Sequence, residues 1–130
     1  KIKIGNINTS RDFVYVNDNI NGIIEIMNSK KTIGRVINIA TQKCFSIKEC
    51  IKIISNYSKK KPKLTIDKKR LRRAEVFKLR GSNNSIKRLT NWSPKYSTKD
   101  GFQKALIETY EWFSKRENLK NYSNFDKYNI

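Results

Sequence analysis

Two hydrophobic periods alternate along this chain, and each change of period marks a new element. Phe13, Val14, Tyr15 and Val16 follow Asp12 as a short run, which predicts a strand over residues 12–16, with Asn17 or Asp18 capping the helix after it. Ile20, Ile23, Ile24 and Met27 then recur at i, i+3, i+4 and i+7, the stripe of an amphipathic helix. After a turn at residues 30–34, Val36, Ile37 and Ile39 predict a short buried strand over 35–40. Ser46-Ile47-Lys48-Glu49 has the form of a capping box, in which serine and glutamate each satisfy an orphan backbone N–H of the other. The helix it opens carries Ile47, Ile51 and Ile54 with Cys50 beside them, and Pro62 ends any continuation. Leu64-Thr65-Ile66 alternates as a strand.

Residues 67–83 are polar and basic, with Leu71, Val76, Phe77 and Leu79 as apolar points, and predict an ordered loop with an edge strand. A short helix follows over about 84–89. Ser97 is placed to cap a last helix, with Asp100 at its third position and the stripe Phe102, Leu106, Thr109, Phe113. Past Lys115 the pattern fades, so residues 1–115 are expected to form one region and 116–130 a polar tail. Strands alternating with helices make an α/β chain, and three or four short strands are part of a sheet rather than a whole one.

With 130 residues, 37% of them apolar, there is material for one ordinary domain. The formal charge of +18 raises the question of a polyanionic partner. Yet Lys, Ile and Asn account for 54 of the 130 residues, and all three have A/T-rich codons, so a base-composition bias explains most of the charge. The basic runs at Lys30-Lys31, Lys59–Lys61 and Lys68–Arg73 lie at or near loops, without the interleaved aromatics of a nucleic-acid surface. This argues against nucleic acid as partner, although a basic nucleic-acid-binding module stays as the alternative, beside an inactive gene fragment. No apolar run is long enough to span a bilayer, and the start has no leader-like core, which points to the cytoplasm. Cys44 and Cys50 have no histidine and no second cysteine pair beside them, so no metal site is expected. They are expected to be buried free thiols. The chain starts at Lys1 and its one methionine is Met27, the pattern of a piece of a longer chain or of one that has lost residues.

Several short motifs now fall in a meaningful order. Gly5-Asn6 followed by Arg11-Asp12-Phe13-Val14-Tyr15-Val16-Asn17-Asp18 resembles the R-D-F-x-Y-V-x-D signature of extended short-chain dehydrogenases acting on nucleotide sugars. Val36-Ile37-Asn38-Ile39-Ala40-Thr41 is similar to their N-hydrophobic-G-T-G strand end, with Ala40 where glycine is usual. Ser46–Glu49 fits their S-I-x-E helix start, and Arg70-Leu71-Arg72-Arg73-Ala74-Glu75-Val76 their R-L-R-P…S-E-V loop. Asn91-Trp92-Ser93-Pro94 resembles G-W-x-P, Asp100-Gly101-Phe102 resembles E-G-L, and Thr109–Phe113 resembles T-I-x-W-F. The ending from Asn121 to Ile130 is similar to that of the 4,6-dehydratases of the legionaminic acid type, which serve surface-sugar pathways.

The resemblance implies the C-terminal substrate-binding portion of an extended Rossmann-type enzyme, with a few short strands, about four helices and an incomplete sheet. It implies a nucleotide-diphosphate sugar as substrate and NAD(P) as cofactor, bound mostly outside this chain. A homodimer would form through the N-terminal half. Arg11 and Arg72 would clamp the diphosphate, since forked guanidiniums grip anionic oxygens bidentately. Glu75 would reach the ribose hydroxyls, and Lys3 and Ile4 would run beside the nucleobase and offer backbone groups. Arg73 stands where the loop proline is usual, Ser85 where a lysine is common, and the loop is about two residues shorter. The glycines, at 5, 22, 34, 81 and 101, are too scattered for a dinucleotide fingerprint. Tyr57 and Lys61 have the spacing of the family's catalytic pair, but Lys61 precedes Pro62 and is pushed out of helical geometry. No catalytic residue is therefore assigned, and the chain alone is expected to be inactive.

Overall fold

In the computed structural model, which describes residues 1–72 and 74–120, short strands alternate with five α-helices. β1 (Ile2–Ile4) pairs in parallel with β4 (Leu64–Ile66). In a second sheet, β2 (Ser10–Arg11) lies between antiparallel β3 (Phe45–Ser46) and parallel β5 (Lys78–Leu79). The helices are α1 (Val16–Asn28), α2 (Ile47–Ser58), α3 (Asn84–Leu89), α4 (Lys99–Ser114) and α5 (Arg116–Leu119). This is the expected α/β arrangement with incomplete sheets. Ile2-Lys3-Ile4 is too short to declare a period, so β1 is recognisable only through its partner.

Local chemistry sets most boundaries. The capping box of α2 forms: the Glu49 N–H donates to Ser46 Oγ at 3.1 Å, and the Ser46 N–H donates to Glu49 Oε2 at 2.7 Å. α2 ends at Ser58, where Lys59 turns left-handed at φ 53°, so Tyr57 and Lys61 do not share a helix. At α4 the cap is Thr98 rather than Ser97, its Oγ1 accepting from the Gly101 N–H at 3.0 Å. Ser97 instead donates its hydroxyl to the Pro94 carbonyl at 3.3 Å.

Two expected strands are absent. The last ladder bond of β2 is the Asp12 N–H to Leu79 O, so 13–16 form no strand, and Tyr15 rather than Asn17 or Asp18 is the cap residue of α1. Asp18 sits inside the first turn, 1% exposed, and accepts the N–H groups of Lys95 and Tyr96 at 3.0 and 2.9 Å. The Trp92 indole donates to the Asp18 carbonyl at 2.9 Å, tying the start of α1 to the 92–96 turn. Residues 35–40 find no strand partner among the described residues, and Val36 is 97% exposed instead of buried.

The core is small: Ile86, Trp92, Phe102, Ala40 and Ala105 are its buried apolar side chains. Phe102 stacks on Phe45, ring centroids 3.8 Å apart, with Phe13 at 5.8 Å, and so joins α4 to β3 and to the end of β2. The buried face of α4 is Phe102 and Ala105; Thr109 and Phe113 of the expected stripe are exposed. Both cysteines are free, but half-buried rather than buried, and desolvation pushes the Cys50 thiol up. The tail expected at 116–130 begins with α5, and Asn121–Ile130 lie outside the described residues.

The Ser46 backbone N–H, and then its hydroxyl, hold the Glu49 carboxyl below its ordinary value of 4.5. A lowered folded-state value contributes stability above the ordinary value and loses it as pH falls through the folded one. Glu49→Ala is expected to destabilise the chain by about 1 kcal/mol near neutrality, with the difference from the parent fading in acid. Urea unfolding of the two proteins at neutral and acid pH measures this.

Candidate functional site

Arg11 ends β2, and its guanidinium is held from two sides. Nη1 donates to the carbonyls of Ser10 and Val76 at 2.9 and 2.8 Å, while Nη2 stands 3.6 Å from Glu75 Oε1. The β2–β5 ladder brings Val76 and Glu75 here: the Ser10 N–H donates to Phe77 O at 2.7 Å and the Asp12 N–H to Leu79 O at 3.0 Å. Arg11 and Glu75 are thus brought together. Arg72 lies on the same connection, exposed and without a hydrogen bond or ion pair to any described residue; its neighbour Arg73 is outside the described residues.

Of the β1 pair, the backbone of one residue is free and that of the other is spent. In a parallel ladder alternate residues face the partner. The Ile2 N–H donates to Lys63 O at 2.9 Å and the Asp67 N–H donates to Ile4 O at 2.8 Å. The Ile4 carbonyl is therefore used, whereas the N–H and C=O of Lys3 face the open edge of β1. Gly5 ends the strand against the 68–70 turn, where a Cβ would meet the Arg70 carbonyl oxygen at 2.9 Å.

Asp12, one residue beyond Arg11, does what no periodicity announces. Its Oδ1 accepts from the Thr41 N–H at 2.9 Å and the Thr41 hydroxyl at 2.5 Å. Its Oδ2 accepts from the Gln42 N–H at 2.9 Å and the Gly81 N–H at 3.2 Å. Gln42 is left-handed at φ 61°, a strain of about 1 kcal/mol for a residue with a Cβ, and the bond to Asp12 offsets it. Its side chain donates to Asn84 Oδ1 at 2.7 Å, and Asn83 Nδ2 donates to the Ala40 carbonyl at 2.8 Å, fixing residues 40–42 to the start of α3. Gly81 is obligatory here, since a Cβ would fall 2.6 Å from that of Ala40. An acidic residue beside the arginine was the only signal in the sequence for this hub.

Tyr15 and Tyr57 are poor bases. Tyr15 donates its hydroxyl to Glu108 Oε2 at 2.7 Å, and this bond, with burial, pushes its pKa up to about 12. Tyr57 donates to Glu111 and is likewise raised. Both hold their protons more tightly than a free phenol, the reverse of what proton abstraction needs. Among the described residues no cluster of histidine, cysteine or carboxylate side chains fits a metal ion, and no helix is long and apolar enough to cross a membrane.

This arrangement is the C-terminal portion of a Rossmann-type short-chain dehydrogenase fold, as solved structures show. The structure described as RMD from Pseudomonas aeruginosa complexed with NADPH superposes with a TM-score of 0.69 at 25% identity, over 85% of this chain and 35% of that one. UDP-glucuronic acid 4-epimerase from Bacillus cereus, in complex with UDP-glucuronic acid and NAD, gives 0.66 at 27% identity, over 83% and 35%. The family model for GDP-mannose 4,6 dehydratase matches residues 1–105, and the chain belongs to that family. GDP-6-deoxy-D-mannose reductase of Pseudomonas aeruginosa is 26% identical over 111 residues, 85% of this chain and 36% of the reductase. The chain therefore spans about a third of the length of the relatives it matches. The resemblance of the Asn121–Ile130 ending to the legionaminic acid branch lies outside the described residues.

Asp12→Asn keeps the size of the side chain but turns an amide NH2 toward N–H donors. It is expected to destabilise the chain by about 2 kcal/mol, against about 1 kcal/mol for Thr41→Val, which removes one hydroxyl bond. Equilibrium urea unfolding of both variants checks the order.

Proposed function

We propose that this chain binds the nucleotide-diphosphate part of a sugar nucleotide, as the C-terminal portion of an NAD(P)-dependent 4,6-dehydratase or epimerase. The observation that carries the reading is Arg11: two backbone carbonyls hold one of its amino groups, so the guanidinium is oriented before any ligand arrives. Its second amino group faces Glu75, a counter-ion that a diphosphate replaces. Glu75 is then free to accept from the ribose hydroxyls. Arg72, exposed on the adjoining loop, closes on the diphosphate from the other side. Lys3 offers backbone N–H and C=O to the base along the open edge of β1, and Ile4 contributes its side chain alone.

In the whole enzyme the nicotinamide supplies hydride chemistry. This chain's residues do not fit that cofactor's pyrophosphate: no two of its glycines are close enough to make a phosphate-cradling turn, and Tyr15 and Tyr57 are not activated. Its part is to grip and orient the substrate. The surface-sugar pathway, the lyase class and the cytoplasmic setting belong to the same proposal.

Arg11→Ala and Arg72→Ala are each expected to weaken binding of a nucleoside diphosphate by roughly 1.5–3 kcal/mol, with Arg→Lys recovering only part. Changing the exposed Lys59, Lys60 and Lys61 together to Gln leaves that affinity nearly unaltered. Calorimetric titration with GDP and UDP reads both, and equal affinity in the arginine variants removes the site assignment. The purified 130-residue chain is also expected to show no dehydratase or epimerase turnover with NAD or NADP; cofactor-dependent product formation contradicts this.

A further inference from the structure

α2 and α4 pack side by side and run in the same direction. At their starts Lys99 stands near the Glu49 carboxylate, and at their ends the Tyr57 hydroxyl donates to Glu111. The groove between them has a volume of about 510 Å³, inside the span of roughly 300–1,000 Å³ usual for small-molecule sites. One wall runs from Glu49 to Tyr57 and the other from Lys99 to Ile107. At a rise of about 1.5 Å per residue, each wall is about 12 Å long. No residue of the Arg11–Glu75 site lines it.

The groove is polarised along its length. Phe45 and Phe102, stacked with ring centroids 3.8 Å apart, line it together with Ile53 and Ile107; Phe45, Ile53 and Ile107 are only half-buried. Lys52 and Lys99 face each other from opposite walls of the starting half. Both are exposed, neither forms an ion pair with a described residue, and they are the only cations among the lining residues. Glu49, the acid at this end, is committed to its own helix: its Oε2 accepts from the Ser46 N–H and the Ser46 hydroxyl, both at 2.7 Å. At the far end Glu111 is engaged by Tyr57. Two unpaired ammoniums at one end and hydrocarbon along the rest suit a ligand with one anionic head and a long apolar body. The 12 Å run favours a chain over a compact ring.

We propose that the α2–α4 groove binds a medium-chain fatty acid, with its carboxylate between Lys52 and Lys99 and its alkyl chain laid over Ile53, Phe102 and Ile107 toward Tyr57. Gln103, one turn along from Lys99, adds a neutral donor beside the head. The site shares no residue with the nucleotide reading and stands whether or not that reading holds.

The test titrates the isotope-labelled chain with sodium decanoate below its micelle-forming concentration and follows the amide shifts. Saturable shifts are expected at residues 49–57 and 99–107. Decanol, which lacks the charge, and hexanoate, which lacks four methylenes, should each bind roughly tenfold more weakly. Lys52→Gln with Lys99→Gln should weaken decanoate on the order of tenfold and leave decanol unaltered, while Gln at Lys59, Lys60 and Lys61 together alters neither. All five lysines are exposed, so the variants stay folded, and their spectra report it. Any of four results overturns the proposal. Decanoate produces no saturable shift, or shifts residues outside the groove. Decanol binds the parent as tightly as decanoate. The Lys52 and Lys99 double variant keeps the parent's affinity. The triple variant loses as much affinity as the double, which would reduce binding to general attraction toward a chain of +18.

Discussion

Four hydrogen bonds to one carboxylate, that of Asp12, decide where three segments of this chain meet. Among the described residues the apolar core is five side chains, two of them alanine, and cannot by itself specify how residues 40–42 and 81 sit against the end of β2. A carboxylate accepting main-chain N–H groups does specify it, because those donors are costly to bury unpaired and their directions are fixed. Asp18 repeats the device at the start of α1, gathering the 92–96 turn. The scaffold is thus pinned by acids in a chain whose formal charge is strongly positive. Arg11 inherits its place from this arrangement, being the residue between the β2 ladder and the Asp12 hub.

Charge is a poor guide to the site for the same reason. Its informative cation is one whose hydrogen bonds go to carbonyls, and the lysine run at 59–61 is exposed beyond the end of α2. What distinguishes Arg11 is orientation, which net charge does not report.

Elements whose signals are local were legible in the sequence. The Ser46–Glu49 box, α3 at 84–89 and the strand 64–66 all stand where the pattern puts them, since caps and short periods act over a few residues. The cap of α4 slipped by one because Ser97 and Thr98 are adjacent hydroxyls and only tertiary context chooses between them. The apolar run at 12–16 misled for a different cause: Phe13 is apolar because it packs near Phe102, not because it sits in a ladder. The run at 36–39 has a strand's composition, but the ladder that would make it one is absent among the described residues. At the site, the nearness of Arg11 and Glu75 is in keeping with the roles the family resemblance implies for them, whereas the loss of the Ile4 carbonyl to Asp67 depends on pairing register, which no side chain encodes.

The closeness of Ala40 and Gly81 has a consequence for how this family can vary. The methyl group of Ala40 fills the volume that any side chain at position 81 would need. At most one of the two backbones can carry a Cβ at this crossing, so their identities are linked. A lineage with glycine at position 40 is free to place alanine at 81, and one that acquires alanine at 40 loses that freedom. The pair is a steric lock in which a Cβ at one position excludes a Cβ at the other, and this chain places it at 40.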